Sequence, residues 1–281
     1  MPNETGLVST EWLADHLGAP DVRVVDASWY LPGANRDPKA EYAAGHIPGA
    51  VFFDIDEIAD LTSPLPHMLP PAEKFSARVR KLGLGDGNRI VVYDGGAPFA
   101  AARVWWMFRA FGHDDVMVLD GGLAKWKAEG RALDDLPPAP RERHFTARQN
   151  TMRLRDFDQV RKNLVTHREQ VIDARSRGRF TGAEPEPRPG LKKGHIPGSV
   201  NVPAGELLDP QTGIFLDHAA LRAKFAEAGI DAAKPVVASC GSGVTACIVL
   251  LALHEIGARD LALYDGSWAE WGARADAPVE V

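Results

Sequence analysis

The hexapeptide "GHIPGA" at residues 45–50 returns as "GHIPGS" at residues 194–199, about half a chain later. The sequence on either side of it returns as well. The flanking matches are "VVDAS" (24–28) with "VIDAR" (171–175), and "VMVLDGGLAKW" (116–126) with "LALYDGSWAEW" (261–271). Self-similarity at a long, nearly constant spacing predicts two homologous halves, each a structural unit of its own.

The stretch 131–150 separates these halves. It is rich in proline and charge and shows no hydrophobic periodicity, which is typical of a linker on the surface. We therefore predict an N-terminal domain at residues 1–140 and a C-terminal domain at residues 141–281.

In both halves, short apolar runs alternate with helical patterns. Short apolar runs without strict alternation suit strands that are buried on both faces of a parallel sheet. They lie at 23–27, 90–93, 116–119, 171–174, 236–238 and 261–264. Helical patterns lie between them, at 71–83, 100–112, 221–230 and 244–257, and Gly112 and Gly257 provide C-terminal stops. The prediction is an α/β fold, in which each domain is a mostly parallel sheet flanked by helices.

Composition narrows the function. The 281 residues are 45% hydrophobic and carry a formal net charge of −6, so no basic field favours nucleic acid or an anionic membrane. We expect small molecules or proteins as partners. The start has no cationic leader and no apolar run reaches the roughly 18 residues that span a bilayer. With only two cysteines, which suits a reducing compartment, we expect a cytoplasmic protein.

The stretch "SCGSGVTAC" (239–247) places Cys240 at the end of an apolar run, and Gly241 and Gly243 follow before a helix from about Val244. Glycines let successive amides turn inward, and a helix start adds its positive pole. Both favour a thiolate, which is the nucleophilic form of cysteine. A buried, inert thiol remains the alternative for Cys240.

Other chemistry is disfavoured by spacing. Between Cys240 and His254 there is no arginine to clamp a phosphate, and Gly243 stands where a redox pair needs a second cysteine. Cys247 falls in an apolar helix face and is predicted to pack in the core. The nine histidines show no ligand spacing, so we predict neither a metal nor a cofactor. His46 and His195 recur in both halves and are predicted to orient turns.

The motifs "CGSGVTA" (240–246), the doubled "GHIPG" and "DGSWAEW" (265–271) resemble the two-domain rhodanese-like sulfurtransferases over nearly the full chain. The resemblance implies two tandem rhodanese-like domains with the active site in the second. Asp94 stands where the second half has Cys240, so the first domain is expected to be catalytically inactive. We expect the Asp94 carboxylate to supply the anion of its own loop.

Thiosulfate-using members of this family carry cationic residues just after the cysteine, where this chain has Gly241 and Ser242. The loop is similar to that of members that use 3-mercaptopyruvate. The resemblance then implies transfer of sulfur from 3-mercaptopyruvate, through a persulfide on Cys240, to a thiol, cyanide or a thioredoxin-like protein, with release of pyruvate. Two alternatives stay open: a thiosulfate sulfurtransferase, and a non-catalytic sulfur-carrier or anion-binding module.

The resemblance also assigns roles to the polar insertion 175–198. Arg179 in "GRF" and Arg188 in "PEPR" match the pair that grips the carboxylate and keto oxygens of the substrate. The amides of the loop would hold the substrate and the transferred sulfur, namely those of Gly241, Gly243, Val244 and Thr245. The other cations of the insertion are expected to be solvated surface charges, namely Arg175, Arg177, Lys192 and Lys193.

A further stretch of the first half, residues 52–70, matches the family at Asp56 and His67. With Ser242 these positions are expected to form a proton relay, in which His67 holds the serine proton and Asp56 fixes the tautomer of the histidine. The plainer alternative is that Asp56 caps a turn and His67 is a surface imidazole.

Overall fold

The structure, a computed structural model, describes residues 5–31, 33–136 and 138–281. The chain forms two compact units, and each takes in a short segment from the opposite half of the sequence. The first unit contains residues up to 59, 70–149 and 210–215, and the second contains 60–69, 150–209 and 216–281. The predicted domain boundary after residue 140 stays a prediction.

The first unit is built on a sheet of five parallel strands in the order β1-β5-β4-β2-β3. The strands are β1 (Leu7–Val8), β2 (Val22–Asp26), β3 (Val51–Phe52), β4 (Arg89–Tyr93) and β5 (Val116–Leu119). The helices are α1 (Thr10–His16), α2 (Pro38–Ala44), α3 (Ala72–Lys81), α4 (Phe99–Ala110) and α5 (Gly122–Ala128).

The second unit repeats this sheet in the order β6-β10-β9-β7-β8, again all parallel. The strands are β6 (Leu154–Arg155), β7 (Gln170–Asp173), β8 (Val200–Asn201), β9 (Val236–Ser239) and β10 (Leu261–Tyr264). The α-helices are α6 (Phe157–Thr166), α7 (Arg177–Phe180), α8 (His218–Glu227), α9 (Ala246–Glu255) and α10 (Ser267–Trp271). Short 3-10 helices lie at Thr151–Arg153 and Ala204–Leu207.

The predicted fold class is confirmed. In the first sheet, Val91 of the central strand β4 packs with Leu123 and Trp126 of α5, while its neighbours Ile90 and Val92 are fully buried as well. Because successive residues of a strand point to opposite faces, both faces of the sheet are covered. This double burial explains why the strands read as continuous apolar runs.

The helices that follow the two central strands, α4 and α9, are buried along almost their whole length. Each ends at a predicted stop. Gly112 and Gly257 have φ of 84° and 100°, a left-handed conformation that glycine adopts without steric cost. In both units the central strand therefore delivers its loop to the start of a fixed, buried helix. Within the described residues, no helix is long and apolar enough to cross a membrane.

The repeated "GHIPG" elements form the same turn in each unit. His46 Nδ1 lies 2.8 Å from the carbonyl oxygen of Tyr42, and His195 Nδ1 lies 2.9 Å from that of Phe180. Each imidazole stacks on the aromatic ring beside it, with ring centroids 4.1 Å and 3.7 Å apart. The two histidines thus orient turns, as predicted.

The stretch 131–150 has no helix or strand in its described part, yet it is anchored to the first unit. Phe145 is buried against Phe75 and Phe108, with ring centroids 5.8 Å and 5.9 Å apart. Its carbonyl oxygen accepts a hydrogen bond from Ser76 Oγ at 2.6 Å. One apolar residue without periodicity cannot reveal such an anchor in the sequence.

Asp94 follows β4 and is buried at the start of α4. Its Oδ2 accepts a hydrogen bond from the Ala101 amide at 2.8 Å, and its Oδ1 accepts one from the Trp29 amide at 3.3 Å. Burial raises the pKa of Asp94 well above its ordinary value, although these amides act in the opposite direction. The side chain thus satisfies buried donors of its own loop.

Asp94→Ala removes the acceptor from these donors. An unsatisfied buried group costs about 1–3 kcal/mol, which lowers the melting temperature of a domain this size by about 2–10 °C. We expect this loss in a thermal scan, with the reactivity of Cys240 toward a thiol reagent unchanged. Lost reactivity at an unchanged melting temperature would contradict this structural role.

Asp94→Asn is the matched control, since it keeps an acceptor oxygen and cannot ionise. Because the pKa of Asp94 is raised on folding, its contribution to stability is complete below the ordinary value of 3.8 and is lost as pH rises through the folded-state pKa. The wild-type chain should therefore lose stability relative to Asp94→Asn as pH rises above 3.8. A pH-independent difference would show that Asp94 does not titrate in this way.

Candidate active site

Cys240 lies directly after β9, at the carboxyl end of the central strand of the second sheet. Its side chain is buried and its thiol is free. Loops at the carboxyl ends of parallel strands are where α/β sheets place their ligand sites. Cys240 therefore lies at the edge of the sheet where such folds place ligand sites, and its role as the catalytic residue stays a prediction.

The backbone around Cys240 is held by the start of α10. The amides of Trp268 and Ala269 donate to the carbonyl oxygens of Cys240 and Gly241 at 3.0 Å and 2.9 Å. The Cys240 amide donates to Ser267 Oγ at 3.2 Å, and this hydroxyl donates to the carbonyl oxygen of Tyr264 at 2.8 Å. Three hydrogen bonds from one short helix thus fix where the cysteine backbone lies.

The loop then turns into α9. Gly243 has φ of 75°, which favours glycine, and Thr245 occupies the N-cap position of the helix. In the described part of the chain no side chain caps this helix by a hydrogen bond. The positive pole of α9 therefore lies at the loop without a side-chain cap, while the amides of Cys247 and Ile248 in its first turn donate to the carbonyl oxygens of Val244 and Thr245, each at 3.1 Å. Anion binding by the amides from Gly241 to Thr245 stays a prediction.

Cys247, the second cysteine, belongs to the first turn of α9. It is fully buried, and its Sγ donates to the carbonyl oxygen of Gly243 at 3.4 Å. This is the environment of a core residue that also braces the loop.

Arg179 and Arg188 both lie beside Gly241. A Cβ built on Gly241 would lie 3.0 Å from Arg179 Nη2 and 3.8 Å from Arg188 Nη1. Arg179 is also bound to Glu186, whose carboxylate oxygens lie 3.2 Å from Nε and 2.6 Å from Nη2. Among the described residues, no carboxylate pairs with Arg188. The loop that carries the cysteine therefore has two guanidinium groups against it.

The prediction that Arg175 is a surface charge is wrong. Its side chain is 0% exposed, where a solvated surface charge was expected. It forms ion pairs with Asp173 at 2.6 Å and with Glu186 at 2.7 Å, and it donates to the carbonyl oxygen of Gly194 at 2.7 Å. Burial lowers the pKa of Arg175, but its two carboxylate partners outweigh burial and raise it above the ordinary value.

Lys192 also departs from the prediction, since its half-buried Nζ donates to the carbonyl oxygens of Arg274 and Ala277 at 2.7 Å and 2.9 Å. The remaining two cations of the insertion are exposed as expected. Arg177, with a 67% exposed side chain, pairs with Glu206, and Lys193 lies on the surface. Local sequence does not separate these cases, because apart from Asp173, which stands two residues before Arg175, the partners of Arg175 and Lys192 lie 11 or more residues away along the chain.

His67 and Ser242 are brought together. His67 Nδ1 lies 3.0 Å from Ser242 Oγ, and both residues belong to the second unit because residues 60–69 fold with it. This segment is anchored by the Leu69 amide, which donates to the buried Asp265 at 2.7 Å. The imidazole is therefore in hydrogen-bonding contact with the loop that carries Cys240.

Asp56 belongs to the first unit, where its Oδ2 accepts a hydrogen bond from Trp29 Nε1 at 3.1 Å. The turn around it is capped by Asp54, whose Oδ1 accepts from the amides of Asp56 and Glu57. The action of Asp56 on His67 stays a prediction.

Three residues of this site were missed by sequence reasoning, namely Glu186, Ser267 and Asp265. Ser267 did leave a signal, because it replaces Gly122 of the first half within the repeated motif and adopts φ of 49°, where that glycine has 52°. A serine in a left-handed conformation is strained, and its hydroxyl contact with Cys240 explains why it is there. The sequence gives no comparable signal for Glu186 and Asp265, because the partners of these two carboxylates follow no sequence pattern.

The described residues do not provide the ligands of a metal centre. No group of three or more histidine, cysteine, aspartate or glutamate residues is placed to hold a metal ion within the described ranges. The site consists of a thiol, amides, two arginines and a serine–histidine pair, and the chemistry that these groups offer is nucleophilic.

Known proteins resemble the chain over nearly its whole length. The family described as "Rhodanese-like domain" matches residues 9–129 and 156–274. Human 3-mercaptopyruvate sulfurtransferase is 46% identical over 275 residues, which cover 96% of this chain and 92% of that protein. Rat thiosulfate sulfurtransferase is 45% identical over 282 residues, which cover 98% and 94%.

Among solved structures, SseA from Escherichia coli, a 3-mercaptopyruvate sulfotransferase with the rhodanese fold, superposes with a TM-score of 0.86 at 42% identity. The superposition covers 95% of this chain and 100% of that one. The family matches take in most of the chain and occur twice, as the internal repeat predicts. The chain therefore belongs to the rhodanese-like sulfurtransferases, with two copies of the domain in tandem.

Proposed function

We propose that the chain is a 3-mercaptopyruvate sulfurtransferase that carries sulfur as a persulfide on Cys240. The observation that carries this proposal is the position of Arg179 and Arg188 beside Gly241, the residue that follows the cysteine. The loop itself is uncharged at Gly241 and Ser242, so the positive charge stands to one side of the sulfur. That arrangement suits a donor whose carboxylate is separated from its sulfur by two carbons.

The two arginines hold the planar end of the donor. Arg188 has no carboxylate partner among the described residues, so its full fork is available to the carboxylate of mercaptopyruvate. Arg179 keeps Nη1 for the keto oxygen, since Glu186 occupies Nε and Nη2. The sulfur end of the donor then points toward Cys240.

The first half-reaction balances without a redox partner. The Cys240 thiolate attacks the donor sulfur, an S–S bond forms, and the C–S bond breaks with its electron pair left on carbon as the enolate of pyruvate. Arg179 stabilises the oxygen on which this charge develops. The proton of the donor thiol ends on the carbon, so that pyruvate leaves and Cys240 carries a persulfide anion.

Ser242 and His67 move that proton. Their 3.0 Å contact lets the hydroxyl pass a proton while the imidazole accepts or returns one. The amides from Gly241 to Thr245 stabilise the charge on the terminal sulfur of the persulfide.

In the second half-reaction a nucleophile attacks the terminal sulfur and the Cys240 thiolate leaves. A thiol, cyanide or a thioredoxin-like protein fits this chemistry as the acceptor. The cytoplasmic location, and a reaction without metal or cofactor, stay predictions.

Exposure to 3-mercaptopyruvate without an acceptor should add the mass of one sulfur atom to the intact chain, with release of pyruvate. Cys240→Ser should gain nothing, because the nucleophile is absent. Cys247→Ser is the matched control and should still gain one sulfur. A persulfide formed only by a partner enzyme, with no pyruvate from mercaptopyruvate, would favour the alternative of a non-catalytic sulfur carrier.

The relay is tested by Ser242→Ala and His67→Gln. Each should lower kcat for mercaptopyruvate by about 100-fold while KM changes little, because general acid–base groups act in the transition state. Asp56→Asn should lower kcat in the same way if Asp56 orients the imidazole. An unchanged kcat in Asp56→Asn would remove Asp56 from the relay, and unchanged rates in all three variants would reject the relay itself.

Donor choice is tested at Gly241. The wild-type chain should have a higher kcat/KM for mercaptopyruvate than for thiosulfate. In Gly241→Ala the new Cβ would lie 3.0 Å from Arg179 Nη2, which Glu186 holds in place, so the guanidinium must shift. Losing one charge-assisted hydrogen bond costs about 1.5–3 kcal/mol, so KM for mercaptopyruvate should rise about tenfold or more.

Gly205→Ala is the matched control, because a Cβ there would have no atom within 4 Å. Its KM should equal that of the wild-type chain. A higher kcat/KM for thiosulfate in the wild-type chain would instead support the thiosulfate sulfurtransferase alternative, the activity named in the rat relative.

A further inference from the structure

Glu186 is a carboxylate whose side chain is 4% exposed and is shared by two arginines. Oε1 accepts hydrogen bonds from Arg175 Nη1 at 2.7 Å and from Arg179 Nε at 3.2 Å, and Oε2 accepts one from Arg179 Nη2 at 2.6 Å. A buried charge in this setting is tolerated only with such partners. Glu186 therefore fixes both guanidinium groups and is itself fixed by them.

Through these contacts Glu186 belongs to a small set of charges, which we name the guanidinium cluster. Ion pairs join Arg175, Arg179, Asp173 and Glu186, and Arg188 is counted with them because it lies beside Gly241 together with Arg179. Three guanidinium groups and two carboxylates leave one positive charge. Arg177 stays outside the cluster, since its exposed side chain pairs with Glu206.

The guanidinium cluster is coupled to the cysteine loop at two points. The Arg175 guanidinium lies over the ring of Trp268, 4.2 Å from its centroid, and the Trp268 amide donates to the carbonyl oxygen of Cys240. Arg179 and Arg188 lie beside Gly241. The net charge of the guanidinium cluster therefore acts beside Gly241, where the donor is proposed to bind.

We propose that Glu186 determines donor specificity, by reducing the net charge of the guanidinium cluster to a single positive charge. This proposal rests on the function proposed above. Mercaptopyruvate with its thiol protonated is a monoanion, which neutralises the guanidinium cluster. Thiosulfate is a dianion, and its second negative charge would exceed the single positive charge of the guanidinium cluster.

Glu186 also positions Arg179. By taking Nε and Nη2 it sets the plane of the guanidinium and directs Nη1 away from the carboxylate. Charge and position make different predictions, because a shorter carboxylate preserves the charge and alters the position. Glu186→Asp thus separates the two effects.

Glu186→Gln tests the charge. This variant keeps the size of the side chain and one acceptor oxygen, and it leaves two positive charges in the guanidinium cluster. The ratio of kcat/KM for thiosulfate to that for mercaptopyruvate should rise about tenfold or more, the effect of one charge interaction of about 1.4 kcal/mol or larger. Glu186→Asp should keep the wild-type ratio even if both rates fall.

Glu184→Gln is the matched control. Glu184 stands two residues earlier on the exposed surface, where it accepts a hydrogen bond from Ser176 Oγ at 2.9 Å. Removing its charge should leave the donor ratio unchanged. An unchanged ratio in Glu186→Gln, or an equal rise in Glu184→Gln, would overturn the proposal.

A binding measurement on the wild-type chain tests the same claim without turnover. Sulfate, a dianion, should protect Cys240 from alkylation by neutral iodoacetamide no better than acetate, a monoanion, does. In Glu186→Gln sulfate should become the better protectant. Stronger protection by sulfate in the wild-type chain overturns the proposal, even if Glu186→Gln does not fold.

The failure of the proposed function can be distinguished from the failure of the proposed role of Glu186. A wild-type chain that releases no pyruvate from mercaptopyruvate contradicts the proposed function, whatever the protection experiment shows. A wild-type chain that turns over mercaptopyruvate, with a donor ratio that Glu186→Gln leaves unchanged, contradicts the role of Glu186 alone.

Discussion

The chemistry of this chain depends on where one strand ends. β9 is the central strand of a parallel sheet, buried on both faces, and it stops at the residue before Cys240. Three hydrogen bonds from the start of α10 then fix the cysteine backbone. Because this backbone is held, Cys240 has a defined position relative to the arginines beside Gly241 and the imidazole beside Ser242, as the proposed reaction requires.

The duplicated fold shows two uses of one loop. In the first unit Asp94 fills the position of Cys240, and its carboxylate accepts from the Ala101 amide at the start of α4. In the second unit the corresponding amide, that of Cys247, donates to the carbonyl oxygen of Val244 at 3.1 Å. One loop thus satisfies a buried amide with its own side chain, and the other carries the sulfur atom on which the proposed reaction takes place.

Sequence patterns predicted the parts that repeat. The strands read as apolar runs because both faces of each sheet are covered, and the helix ends were visible as Gly112 and Gly257. Cys240 was identifiable from its glycines and its place after a strand. Arg179, Arg188 and His67 came only from the resemblance to a family, since nothing in their local sequence separates them from surface residues.

Contacts between distant residues were not predictable. Arg175 stands in a run of surface-like cations, yet Asp173 and Glu186 bury it. Residues 60–69 lie in the first half of the sequence and fold with the second unit. Neither a buried ion pair nor the exchange of a segment has a period or a composition of its own, so each is decided by tertiary packing alone.

The proposed direct transfer of sulfur from mercaptopyruvate to Cys240 can be followed by mixing the chain with one equivalent of this donor, without acceptor, and measuring pyruvate against time. We expect a single burst that approaches one pyruvate per chain and that is absent in Cys240→Ala. No burst with the wild-type chain, or an equal burst with Cys240→Ala, would contradict it.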